Sequence, residues 1–157
     1  MLRGMTDEVE ARSLYAARYA PVEEVGFITC DLGGVTIGYS PDGLVGADGL
    51  IECKSRRAKF QVETICTGTV PAEYLIQIQT GLLVTGRQWL DFISYSAGLP
   101  MVTLRVLPDF AVQQAILAAA LDFEEQMQAV LARWHDRQRD GTRLIPTERR
   151  IEQEMVI

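Results

Sequence analysis

The sequence predicts a mixed α/β domain built on one central sheet, and three of its features predict this. Helix-period segments stand near both ends and in the middle. Short apolar or alternating runs, bounded by Gly, Pro and Asp clusters, fill the intervals. A chain of 157 residues with 48% hydrophobic composition is enough to close one core. The expected order is αβββαββα, a single domain over residues 1–140 followed by a polar tail over 141–157.

Residues 6–20, TDEVEARSLYAARYA, read as the first helix, with Thr6 or Asp7 as N-cap, acids in the first turn and Pro21 closing it. Strands are expected over 25–30 and 35–39, separated by the turn Asp31-Leu32-Gly33-Gly34. A third, over 50–54, follows the Gly- and Asp-rich cluster and completes a meander. Residues 60–70 fit more than one state. Pro71 opens a helix over 72–85, and residues 89–95 and 101–106 form a second hairpin around Ala97-Gly98-Leu99-Pro100. A long amphipathic helix starts at Pro108-Asp109 and ends at Gly141. Its apolar residues Phe110, Ile116, Leu117, Phe123, Met127, Val130, Leu131 and Trp134 are expected to close the core, with Trp89 and Trp134 as anchors.

No apolar run is long enough to span a bilayer, and MLRGMTDEVEAR lacks the apolar centre of a secretion signal, so a soluble cytoplasmic protein without a membrane partner is expected. Cys30, Cys53 and Cys66 are odd in number and form no CxxC pair, which argues against a disulfide scaffold and a structural zinc site. A net charge of −6 announces no nucleic-acid binding through overall basicity. The densest basic cluster is local, Ser55-Arg56-Arg57-Ala58-Lys59.

The stretch IGYSPDGLVGADGLIECKSRR, residues 37–57, carries the chemistry. In a strand, Glu52 and Lys54 share one face at roughly 6–7 Å while Cys53 points to the other. Asp42 arrives from the preceding turn. Two carboxylates, with the backbone carbonyl of Cys53, make an oxygen-rich site suited to a hard cation such as Mg²⁺. A lysine beside it is placed to orient an attacking water and to stabilise charge building on a phosphate, which fits phosphodiester hydrolysis. Each piece alone also has an ordinary structural reading. Ser40-Pro41-Asp42-Gly43 is a common turn tetrapeptide, and Glu-x-Lys is common on a solvated strand face.

Taken together, Ser40-Pro41-Asp42-Gly43 and Gly49-Leu50-Ile51-Glu52-Cys53-Lys54 resemble the PD-(D/E)xK nuclease motif in the form used by YqaJ-type viral recombinases, the lambda exonuclease family. Gly4-Met5-Thr6-Asp7-Glu8-Val9-Glu10-Ala11 is similar to that family's preceding G…E…A helix. The segment from Pro71 through Tyr74, Gln77 and Gln79 resembles its Y-x-x-Q-x-Q helix. The resemblance runs from about residue 4 to 107.

It implies a restriction-endonuclease-like core and a Mg²⁺-dependent deoxyribonuclease, with Mn²⁺ as a possible substitute. It makes Asp42 and Glu52 metal ligands, Lys54 the catalytic lysine, Glu8 an additional carboxylate and Gln77 an active-site glutamine. The implied activity is a 5′→3′ exonuclease resecting double-stranded DNA ends for recombination by single-strand annealing, with an annealing protein as partner and a ring-like homotrimer. A bacterial host cytoplasm follows if a phage encodes it. The chain is expected to lack the N-terminal segment that helps the family hold a DNA 5′-phosphate. Two rivals are therefore kept: a catalytically incomplete fragment that binds DNA or a partner, and an endonuclease with the same core.

Glu8 has an ordinary reading as a helix-dipole acid paired with Arg12 at i,i+4. Gln79 lies in the apolar stripe of Leu75, Ile76, Ile78, Leu82 and Leu83 and should be a buried structural amide; Gln77, Tyr74 and Gly81 lie opposite it. Arg56, Arg57 and Lys59, with Tyr74, are candidate DNA contacts, the basic residues equally compatible with a solvated loop. His135 sits near a helix end, where a cation is favourable, and is assigned no catalysis.

Overall fold

The segment Gly49–Ser55 forms the strand around which the functional residues are arranged. The computed structural model describes residues 2–148. Its elements are α1 (Leu2–Arg18), β1 (Ile28–Asp31), β2 (Thr36–Tyr39), β3 (Gly43–Val45), β4 (Gly49–Ser55), α2 (Ala58–Thr67), α3 (Ala72–Thr85), β5 (Trp89–Tyr95), β6 (Val102–Val106) and α4 (Phe110–Arg139). The chain divides into two compact units. Met1–Leu121 holds both sheets, α1 to α3 and the start of α4, and Asp122–Ile157 holds the rest of α4. Of the tail expected over 141–157, residues 149–157 lie outside the described residues.

The main sheet is mixed, as expected, in the order β3-β4-β5-β6. β4 and β5 run parallel, from Gly49 opposite Trp89 to Ser55 opposite Tyr95, while β3 and β6 pair antiparallel at the two edges. Parallel neighbours require a crossover, and α2 and α3 supply it. The expected meander is corrected: β1 and β2 pair only with each other in a separate two-stranded sheet. β3, unseen in the sequence because its Gly-rich surroundings read as a turn, takes their place beside β4.

Strand alternation sends the two sides of the main sheet to different helices. Ile51, Cys53, Ile93 and Tyr95 pack with Ala11 and Tyr15 of α1, and Leu50, Leu90 and Phe92 pack with Tyr39 and with Ile78 and Leu82 of α3. Each fully buried side chain of this kind contributes about 1.5–3 kcal/mol.

Other expectations shift. α1 starts at Leu2, so Thr6 and Asp7 are helical rather than caps, and Asp7 is buried with its carboxylate accepting from the Ser55 hydroxyl. Nothing before Thr6 breaks a helix, since an interior Gly4 costs only about 1 kcal/mol. The ambiguous segment is α2, stopped by Gly68 in the left-handed conformation at φ 63°. α3 has the expected bounds, but its faces were misjudged. Gly81 is buried and Tyr74 half-buried against Phe92, whereas Leu75 and Ile76 are exposed. Apolar period alone does not say which stripe meets the sheet when a glycine permits the closest approach. α4 does not bury its apolar residues: Phe110, Phe123, Met127, Val130, Leu131 and Trp134 are exposed, and Gln113 is its buried residue. An amphipathic pattern states that a stripe exists without stating what covers it. Trp134 is therefore no core anchor, while Trp89 packs partly buried against the α1-side cluster. No helix among the described residues is long and apolar enough to cross a membrane.

Candidate active site

β4 ends its pairing with β3 at Ile51, opposite Gly43, just where the chain arrives from the Ser40-Pro41 turn. One residue earlier, Asp42 turns its side chain to the freed edge, and its Oδ2 accepts the Cys53 backbone N–H at 2.6 Å. The carboxylate thereby replaces the missing strand carbonyl. In an extended strand a residue's N–H and C=O point to the same edge, so the Cys53 carbonyl faces the Asp42 side as well. The Cys53 thiol is buried on the α1 side, and burial pushes its pKa up; it stays a protonated core group.

Glu52 lies on the α3 side, only 2% exposed. Burying a carboxylate is costly unless it is paired. Lys54 Nζ and Gln77 Nε2 both donate to Oε1 at 2.6 Å, and the Tyr39 hydroxyl donates to Oε2. The alternation predicted for Glu52, Cys53 and Lys54 is thus observed, and Gln77 reaches in from α3. Lys54 Nζ also lies 5.4 Å from the centroid of the Tyr74 ring.

Among the described residues, no cation forms an ion pair with the Asp42 carboxylate. Burial first, then the negative charges of Glu52 and Glu8, push its pKa up to about 7, against the lowering effects of the Cys53 N–H and Lys54. Glu8 is engaged by Arg12 at 3.1 Å, and the same guanidinium donates to the Asp42 main-chain oxygen at 2.9 Å and pairs with Glu24 at 3.0 Å. Arg12 is a link the sequence reading saw only as a partner for Glu8. Among the described residues, no three His, Cys, Asp or Glu side chains converge tightly enough to form a metal cage. Mg²⁺ does not require one, since it commonly takes one or two carboxylates and keeps several waters. Asp42, Glu52 and the Cys53 carbonyl fit that pattern. The raised Asp42 reflects burial first and the neighbouring carboxylates second.

Of the candidate DNA contacts, Arg57 and Lys59 are exposed at the start of α2. Arg56 is only 7% exposed, which corrects its reading as part of a solvated loop. It donates to Glu73 at 2.7 Å and to the Tyr74 hydroxyl at 2.6 Å, and stacks over the Phe60 and Tyr74 rings. Tyr74 thus lies near two cations, Lys54 and Arg56. Gln79 is the structural amide expected: it donates to the Leu107 carbonyl and accepts from the Asp109 N–H and the Gln113 amide, tying α3 to the start of α4. His135 is exposed in α4. Tyr39 and Arg12 were missed as site residues, because only the tertiary fold brings them to Glu52 and Asp42.

A family model described as the YqaJ-like viral recombinase domain matches residues 1–88. Among solved structures, LHK-Exo in complex with dAMP is 36% identical with a TM-score of 0.80, the match covering 88% of this chain and 73% of that one. An alkaline exonuclease, LHK-Exo from Laribacter hongkongensis, is 37% identical with a TM-score of 0.68, covering 85% and 75%. SSO0001, 12% identical with a TM-score of 0.53 over 72% of this chain and 55% of that one, shares the fold alone. No curated protein sequence matches.

Proposed function

Because this chain belongs to the YqaJ-like viral recombinase family, we propose that it is a Mg²⁺-dependent 5′→3′ exonuclease that resects double-stranded DNA from an end. The observation that carries this reading is the convergence on one buried carboxylate, Glu52, of Lys54 and Gln77, with the under-neutralised Asp42 beside it. Asp42, Glu52 and the Cys53 carbonyl would hold Mg²⁺ or Mn²⁺, with Glu8 adding negative charge nearby. When bound, such an ion supplies Lewis-acid stabilisation of the phosphate and lowers the pKa of water.

The chain's own groups do the rest. Lys54 Nζ, steadied over the Tyr74 ring, orients the attacking water and offsets charge developing on the phosphate oxygens. Gln77 Nε2 donates to the same Glu52 oxygen as Lys54 and helps to position the attacking water. Arg56, held by Glu73 and Tyr74, lends positive potential at the edge of the site. Arg57 and Lys59 are free to meet the DNA backbone. An Asp42 that ionises near neutrality suits work at neutral to alkaline pH, in keeping with the alkaline exonuclease it resembles. The dAMP held by LHK-Exo is a deoxynucleoside monophosphate, the type of product that stepwise end digestion releases. A ring-like trimer and a single-strand annealing partner belong to the same reading.

The test is release of acid-soluble nucleotides from a linear 5′-phosphorylated duplex with Mg²⁺, with a closed circle as control. Lys54→Ala is run in parallel. Digestion of the linear duplex alone, and by the unmodified chain alone, supports the exonuclease. Cutting of the circle identifies an endonuclease, and a folded protein that cuts neither substrate is a binding module.

A further inference from the structure

Tyr39 is 5% exposed, and its hydroxyl rests on Glu52 Oε2, the oxygen that Lys54 and Gln77 leave free. Packing alone does not ask for that hydroxyl. A phenylalanine would fill the same apolar space among Leu50, Ile78, Leu82 and Phe92 without a buried polar group to satisfy.

The ring reaches this position because α3 carries a glycine opposite it. A Cβ on Gly81 would come within 2.6 Å of the Tyr39 ring. Gly81 stands one turn along α3 from Gln77, so the same close approach of the helix seats Tyr39 and delivers Gln77 to Glu52. The terminal torsion of a glutamate is broad and roughly two-fold, so donors on one oxygen alone leave the carboxylate plane loosely held. A donor on each oxygen fixes it.

We propose that Tyr39, seated against Gly81, is a positioning residue that locks the Glu52 carboxylate with Oε2 turned back into the core and Oε1 presented to the reacting side. The role rests on the metal-dependent nuclease reading, in which Glu52 is a ligand. It ties the small β1–β2 sheet to the chemistry, since Tyr39 is the last residue of β2.

The experiment is Tyr39→Phe, with Mn²⁺ binding followed by electron paramagnetic resonance and with kcat and KM for linear duplex measured beside it. Loss of an outer partner of a ligand typically costs about 10–100-fold in metal affinity or activity. The expected result is a Mn²⁺ Kd raised about tenfold and a kcat lowered by a similar factor. KM for DNA should stay unchanged, while the thermal midpoint should fall by a few degrees as Oε2 loses its buried donor. Unchanged Mn²⁺ affinity and kcat would overturn the proposal and leave Tyr39 a packing residue. If the unmodified chain binds Mn²⁺ but digests no DNA, the exonuclease reading fails, while the Mn²⁺ comparison still decides the role of Tyr39.

Discussion

Two buried carboxylates stand on adjacent parallel strands, Glu52 on β4 and Asp91 on β5, facing opposite sides of the sheet. They are 2% and 4% exposed, and each accepts a bond from a buried tyrosine, Tyr39 or Tyr15. Their charge balance separates them. Asp91 is gripped in bidentate fashion by Arg105, its cross-strand partner, at 2.8 and 2.9 Å, and that guanidinium stacks 3.7 Å from the Trp89 ring centroid. One acid meets one base, and the donors on Asp91 oxygens close the account. Around Glu52, by contrast, Glu8, Asp42 and Glu52 share Lys54 and Arg12, and Arg12 is also paired with Glu24. A saturated carboxylate holds a fold together, whereas in the proposed reading the Glu52 and Asp42 pair takes up an external cation. Burial is the same at both, and only the accounting of partners tells them apart.

The largest expected effect comes from removing the base on the unbalanced side. Lys54→Ala should lower nucleotide release by about 10²–10³-fold, the scale of a lost transition-state donor, with a much smaller change in stability. The mirror change, Asp91→Ala, should cost about 2–3 kcal/mol in urea unfolding, because the Tyr15 hydroxyl loses its buried acceptor. Arg105, half exposed, can turn to water. Activity per folded molecule should stay within about twofold, the scale expected where no transition-state contact is lost. A large loss of specific activity in Asp91→Ala would break the comparison.

Two glycines sharpen it further. A Cβ on Gly49 would meet the Trp89 ring at 2.1 Å, on the Asp91 side, as a Cβ on Gly81 would meet Tyr39. Each alanine variant should lose about 1–3 kcal/mol through overpacking. Only Gly81→Ala should also lose kcat, measured on protein below its unfolding range.

The smallest effect is a pH dependence. The folded pKa of Asp42, about 7, lies above its usual 3.8, so between these values the native state holds a proton that the unfolded chain has released. Stability from this group is therefore present at low pH and lost as pH rises through 7. In Asp42→Asn, urea midpoints between pH 5 and 8 should lose that slope, with about 1 kcal/mol gained at pH 8 once partial exposure is allowed for. Added Mg²⁺ should raise the midpoint of the unmodified chain at pH 8 and leave the variant unmoved.

The parts of this contrast differ in how far the sequence displays them. Glu52 and Lys54 on one face followed from the two-residue period of a strand, and Asp42 from its place in a turn directed at that strand. α3 followed from Pro71 and the helical spacing after it, and β5 from its place in a hairpin around Ala97-Gly98-Leu99-Pro100. The donor on Glu52 Oε2 was hidden, because it depends on Tyr39 crossing from a second sheet and on Gly81 admitting its ring. Asp91 read as an ordinary strand residue, since its partners lie 76 and 14 positions away. β3 was hidden by its own glycines and α2 by a weak apolar period. The exposed side of α4 shows the limit of periodicity, which describes a surface without naming its neighbour.

The parallel pairing of β4 with β5 has a consequence for how the protein comes to be active. Every residue assigned a part in cleavage lies between Glu8 and Gln77, so all are synthesised before β5. Yet β4 is a central strand, and β5 is the neighbour that aligns it along its whole length. Parallel pairings across a long crossover form late, after the loop-closure entropy has been met. In the proposed reading, the nascent chain therefore carries every side chain assigned to the site before the pairing that aligns β4 has formed.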